Sequence, residues 1–97
     1  MTTTILIRGA HFRGQEIKEL SNNLTEGAII TLEREPDNKH DPYAVKAFYD
    51  DIHIGYVQAE HSAAVSEMID AGELSEAIFI RHVEGPRNSL YPECSID

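Results

Sequence analysis

Ninety-seven residues with a net charge of −9, 41% hydrophobic content and one cysteine make a chain sized for one domain with one modest core. The acidic balance opposes long-range attraction to nucleic acid, and a lone cysteine excludes an internal disulfide. No stretch approaches the ~20 apolar residues of a membrane span, and the start lacks a basic region followed by an apolar block, so a cytoplasmic module without membrane contact is expected.

In chain order, Thr4 to His11 reads as a first strand, with Ile5 and Ile7 on one side and Leu6 on the other. Residues 15–27 are ambiguous: Ile17, Leu20 and Leu24 fit a short helix, Ser21-Asn22-Asn23 argues for a loop, and a strand near Gln15 to Lys18 also fits. Ala28-Ile29-Ile30-Thr31-Leu32 is β-like. A charged turn follows, and Tyr43 to Tyr49 resumes as a strand, joined through Asp50-Asp51 to Ile52 to Val57 as a hairpin. Glu60 to Ala71 is the one clear helix, with Ala64, Val65, Met68 and Ile69 in a stripe and Gly72 just past its last turn. Leu74 to Val83 is a last strand, with Ala77, Phe79 and Arg81 alternating against Ile78, Ile80 and His82. The division expected is a domain over residues 1–84 and a tail over 85–97 that can fold back as an edge element.

The charged turn, Arg34-Glu35-Pro36-Asp37-Asn38-Lys39-His40-Asp41-Pro42-Tyr43, is the most informative stretch. Pro36 and Pro42 fix φ and remove two donors, while Asp37, Asn38 and Asp41 have short side chains able to bond nearby backbone N–H groups. Such a turn presents Arg34, Lys39, His40 and Asp41 in limited geometries, as a binding edge. Charge is uneven along the chain. Residues 1–49 carry six basic and seven acidic residues, whereas residues 50–97 carry two and ten, so every plausible phosphate contact from this edge lies in the near-neutral half.

The run REPDNKHDPYAVKAF, with Ile54-Gly55-Tyr56-Val57 and the helix-like stretch after it, resembles the HIRAN domain over roughly residues 5–83. The resemblance implies a small OB-type β-barrel found at the N-terminus of some remodelling helicases and as free-standing bacterial and phage proteins, and it implies binding of the 3′ end of single-stranded DNA. In that family the end pocket uses aromatics from the first strand and the turn, an aspartate after the turn aromatic, and a lysine after the Gly-aromatic-hydrophobic strand. His11 or Phe12 matches the first aromatic, His40 stands at the turn aromatic, and Asp41 keeps the carboxylate. The lysine is replaced, its place falling at Gln58 or Ala59.

The fold expected is therefore mostly β: a small OB-like or SH3-like barrel of five to seven strands, curved by Gly9, Gly14 and Gly55, with one packed α-helix. Catalysis finds no support, because no nucleophile sits in a Gly-flanked elbow and Glu33 and Glu35 flank Arg34 at a strand end. His11, His40, His53, His61 and His82 share no zinc-ligand spacing, Cys94 lacks a partner, and no phosphate loop occurs, so no metal or cofactor is expected. Two functions from different classes remain. One is a monomeric, non-enzymatic module binding single-stranded DNA at a free 3′ end through His11, Phe12, Arg13, Arg34, Lys39, His40 and Asp41, alone or delivered to a helicase or nuclease. The other is an acidic protein-interaction module, or a DNA-mimicking inhibitor of a basic DNA-binding protein, built on the carboxylate-rich second half.

Overall fold

Alternation builds the strands. In β1 (Thr4–Arg8), Ile5 and Ile7 are buried with Leu6 half-buried between them; in β2 (Ile29–Arg34), Ile30 and Leu32 point inward. β3 (Val45–Tyr49) and β4 (Ile52–Val57) form the hairpin, turned by Asp50 and Asp51 at φ 52° and 67°, the paired left-handed geometry that suits a two-residue connection between twisted strands. β5 (Glu76–Glu84) and β6 (Leu90–Ser95) complete the set. The computed structural model describes residues 3–96, and in it all neighbouring strands are antiparallel and close on themselves in the order β1-β4-β3-β2-β5-β6, with β6 returning to β1. Each strand therefore has two partners, although the second half of β5, Arg81 to Glu84, is paired with β6 alone. Ile5, Ile7, Ile30, Val45, Ile54, Val65, Phe79 and Cys94 fill the centre.

Two register shifts curve the sheet. An extra β4 residue falls where Ala47 pairs Gly55 but Phe48 pairs His53, and an extra β5 residue falls between Phe79, opposite Cys94, and Arg81, opposite Glu93. The second shift breaks the expected alternation of β5: Arg81 does not follow Ala77 and Phe79 inward but turns out to meet Glu93, its Nε donating to Oε1 at 2.7 Å.

The expected OB-like or SH3-like barrel with a single packed helix is corrected, since two α-helices cover the six-stranded sheet. Residues left ambiguous in the sequence form α1 (Gln15–Asn22), whose Ile17 and Leu20 pack on the core. The Ser21 carbonyl near its end is satisfied at long range, the His82 ring Nε2 donating to it at 2.7 Å. α2 (Ala59–Asp70) is the helix the stripe predicted, buried through Val65 and flanked by Met68 and Ile69, although Ala64 faces solvent. It ends in a Schellman motif: the Gly72 N–H donates to Ile69, the Glu73 N–H to Met68, and Gly72 takes φ 74°.

The segment set apart as a tail holds β6, which pairs on one side with β1 and on the other with β5, so it is an interior strand and not an edge element. Asp97 lies outside the described residues. Pro92 fits because β1 begins its pairing only at Glu93, so the missing N–H costs no ladder bond on that side. Cys94 is fully buried here, and that burial, with Glu93 beside it, pushes its thiol up to about 12, the environment of an inert cysteine.

Candidate nucleic-acid interface

The turn is organised by one side chain. Asn38 Oδ1 accepts from the backbone N–H groups of His40 and Asp41 at 2.8 and 3.0 Å, while its Nδ2 donates to Glu35 at 2.6 Å. Glu35 in turn accepts from the Tyr56 hydroxyl at 3.0 Å and pairs with Lys46 at 3.2 Å, which pins the base of the turn to β3 and β4. Helix α2 braces the same turn at both ends. Arg34 donates to Asp70 at 2.9 Å and to the Pro42 carbonyl at 2.7 Å, and the Ser62 hydroxyl reaches Asp41 Oδ2 at 2.9 Å. That hydroxyl also lies 3.0 Å from the Ala59 carbonyl, and its single proton serves one acceptor at a time.

Two titrating groups make this support sensitive to acid. The Asn38 amide, then the Tyr56 hydroxyl and Lys46, hold the Glu35 carboxyl below its ordinary 4.5 against the opposing effect of burial. His53, donating from Nε2 to the Gly55 carbonyl at 2.9 Å, is held below its ordinary 6.5 by burial and then by the Arg13 cation, with the Gly55 bond opposing. Both folded values are depressed, so each contribution is present above the unfolded value and is lost as pH falls through the folded one. The urea midpoint should thus be flat between 6.5 and 9.0, the ordinary values of His53 and of the Cys94 thiol, and decline once below 6.5 and again below 4.5. Glu35→Gln should make the lower limb shallower, and superimposable acid limbs for the two proteins would refute the assignment.

Between the turn and the Ala10–Phe12 3-10 turn opens a groove of ≈ 370 Å³, within the ~300–1,000 Å³ usual for ligand sites. One wall is His11 and Phe12, whose ring centroids lie 4.0 Å apart; the other is Asn38, His40 and Asp41; Arg8, Tyr56, Val57 and Gln58 lie between. Phe12 is 84% exposed, an unusual position for so large an apolar ring.

Of the residues singled out from the sequence, the structure brings His11, Phe12, His40 and Asp41 into this groove. It leaves three outside. Arg13 donates from Nε to the His53 carbonyl at 2.9 Å, and Arg34 and Lys39 line a separate depression behind the turn with Glu33, Glu35 and Asp37. Asp41 is already engaged, Oδ1 accepting from the Tyr43 N–H at 2.8 Å and Oδ2 from Ser62, yet a carboxylate has acceptor capacity beyond two bonds. Arg8, Asn38, Tyr56 and Gln58 were missed as site residues. Arg8 carries no signal in a strand pattern, whereas Gln58 stood at the place of the family's lysine and Tyr56 lay within the Ile54-Gly55-Tyr56-Val57 run.

The chemistry available is stacking on rings, hydrogen bonding to a carboxylate and amides, and one guanidinium. Among the described residues no group of three or more His, Cys, Asp or Glu is placed to hold a metal ion, and no helix is long and apolar enough to cross a membrane. These features define a recognition surface on a closed β scaffold. The family model for the HIRAN domain matches residues 4–96, and the chain belongs to that family. Comparison with curated proteins finds no match. Among solved structures, a protein from Lactobacillus plantarum is similar at 18% identity and TM-score 0.76, over 99% of this chain and 91% of the other. The HIRAN domain of human HLTF is similar at 15% identity and TM-score 0.70, over 98% of this chain and 72% of the other. Membership of the HIRAN family supports recognition of single-stranded DNA ends.

Proposed function

We propose that this HIRAN domain seats the free 3′ end of a single DNA strand in the groove between Phe12 and His40. The observation that carries the reading is the juxtaposition of the exposed His11–Phe12 pair with His40 and Asp41 across one open groove, in a chain of this family. A terminal base stacks against Phe12 or His11 on one side and His40 on the other, and the 3′-hydroxyl donates to Asp41. The closed sheet supports action as a monomer, and delivery to a helicase or nuclease is the partner expected.

Fluorescence anisotropy at low salt tests this. A short strand ending in a 3′-hydroxyl should bind at least about fivefold more tightly than the same strand ending in a 3′-phosphate, because a second anion about 4 Å from Asp41 costs ~1–4 kcal/mol between the aqueous and surface-dielectric limits. Asp41→Asn retains an acceptor for the Tyr43 N–H and should erase that preference. Equal affinity for both ends in the wild type would remove the end-pocket model.

A specific observation favours the acidic-interaction reading as a second activity. Ile29 and Ile78 pair across β2 and β5 yet are 51% and 40% exposed, the first beside Asp50 and Asp51 and the second beside Glu73 and Glu76. An apolar pair rimmed by carboxylates suits a basic protein partner. Absence of any DNA binding would leave this as the surviving reading.

A further inference from the structure

We propose that Arg8, held against the ring of Tyr91, is the phosphate-binding group of the groove, and that the DNA strand leaves the groove over Tyr91 and Lys18, not over the charged turn. This rests on the DNA-end reading above. Arg8 stands opposite Tyr56 in the β1–β4 register, and Gln58 lies two residues beyond Tyr56, so the three share the face that lines the groove. Among the described residues it is the one permanent cation there. Four others are committed elsewhere: Arg34 to Asp70, Lys46 to Glu35, Arg81 to Glu93, and Arg13 to the His53 carbonyl. Among the described residues Arg8 pairs with no carboxylate, and its guanidinium carbon sits 5.1 Å from the Tyr91 ring centroid.

The two exits from the groove differ in charge. Beyond the turn, Glu33, Glu35 and Asp37 offset Arg34, Lys39 and Lys46, and two of those cations are already ion-paired, so that side offers a phosphodiester no net attraction. On the other side the surface carries a small crevice of ≈ 10 Å³ lined by His11, Lys18, Asn22 and Tyr91, and His11 belongs to both the crevice and the groove. Tyr91 is held in place there, since a Cβ at position 85 would overlap its ring, so Gly85 is what lets the ring lie against the backbone. A strand with its terminal base between Phe12 and His40 thus meets Arg8 at its next phosphate and places the preceding nucleotide over Tyr91, within reach of Lys18. The guanidinium fork gives two directed bonds to a phosphate, and the tyrosine ring limits the freedom lost when it does so.

Anisotropy titrations over a salt series, with a 3′-hydroxyl dinucleotide and a hexanucleotide, decide the matter. Arg8→Gln should weaken both ligands about tenfold and reduce the slope of log affinity against log salt by roughly 0.7, the loss of one phosphate contact, while Arg8→Lys restores the slope. Lys18→Gln should weaken only the hexanucleotide, and Lys39→Gln should change neither. An unchanged slope in Arg8→Gln, with Phe12→Ala still abolishing binding, would overturn the proposed track and leave the end pocket standing. Equal losses in Arg8→Gln and Arg8→Lys at constant slope would reduce Arg8 to a brace for Tyr91 and overturn it too. Wild-type protein that binds neither ligand would end both proposals.

Discussion

Gly55→Ala is expected to lower stability by about 3 kcal/mol, the upper end of what overpacking costs. For a domain of this size that is a fall of roughly 12–24 °C in melting temperature. A Cβ at Gly55 would overlap the carbonyl oxygen of Arg8 and crowd the Ile7 side chain, and both belong to β1, the strand that pairs with β4. Neither obstacle can swing aside as a flexible side chain would; relief requires β1 to separate from β4. Because the same contact sets Arg8 beside Tyr56, the substitution should also disorder the groove and not only the core. Gly72→Ala is the control. That glycine also has positive φ, at 74°, but faces open space, so alanine there should cost only the left-handed strain of ~1–2 kcal/mol. Equal melting temperatures for the two variants, measured by circular dichroism, would refute the close-approach argument.

Local pattern made β1 to β4 and α2 legible, because each buries one face and the burial follows a period of two or of 3.6. What was not legible depends on partners distant in sequence. α1 is eight residues long, too short to be stable from propensity alone, and contains Ser21 and Asn22; its end is held by His82, 61 residues away. β6 looked like a tail because Gly85-Pro86 opens it and Pro92 interrupts it. The strand is secured by neighbours from both ends of the chain, and only the register shows that Pro92 precedes the β1 pairing. The turn of phase in β5 is similar: an extra residue in a strand leaves no mark in a hydrophobic pattern that still alternates on either side.

The candidate site divides along the same line. The charged turn was visible because Pro, Asn and Asp at fixed offsets have a local mechanism, and His40 and Asp41 do stand where that turn presents them. Charge alone placed Arg34 and Lys39 on the binding edge, and the structure puts both outside the groove. Sequence shows that a cation is present but not which carboxylate or carbonyl it faces, and Arg34 is drawn to Asp70 on α2, 36 residues away. Arg8 was passed over for the converse reason. Its place in the groove depends on the β1–β4 register, and its freedom from carboxylates is a property of the folded surface.

Phe12→Ala should abolish most single-strand binding while leaving the fold intact. One base stacked on an aromatic ring contributes ~1–3 kcal/mol, so the loss should be about fivefold to more than a hundredfold in affinity. Ordinarily the removal of a phenylalanine ring costs ~3–5 kcal/mol of stability, but that figure belongs to buried rings. Phe12 is 84% exposed and touches His11 at a centroid separation of 4.0 Å, so little burial is lost with it and the melting temperature should stay within a few degrees of wild type. The pairing of a large binding defect with an unchanged melt is what distinguishes a recognition ring from a structural one. Phe12→Trp supplies the complementary arm: a larger π-face should retain or strengthen binding, whereas Phe12→Leu, apolar but without a π-system, should behave like alanine. If leucine binds as well as phenylalanine, hydrophobic contact and not stacking holds the base. If alanine does too, the strand end does not rest on Phe12, and His11, which shares that wall of the groove, becomes the ring to test.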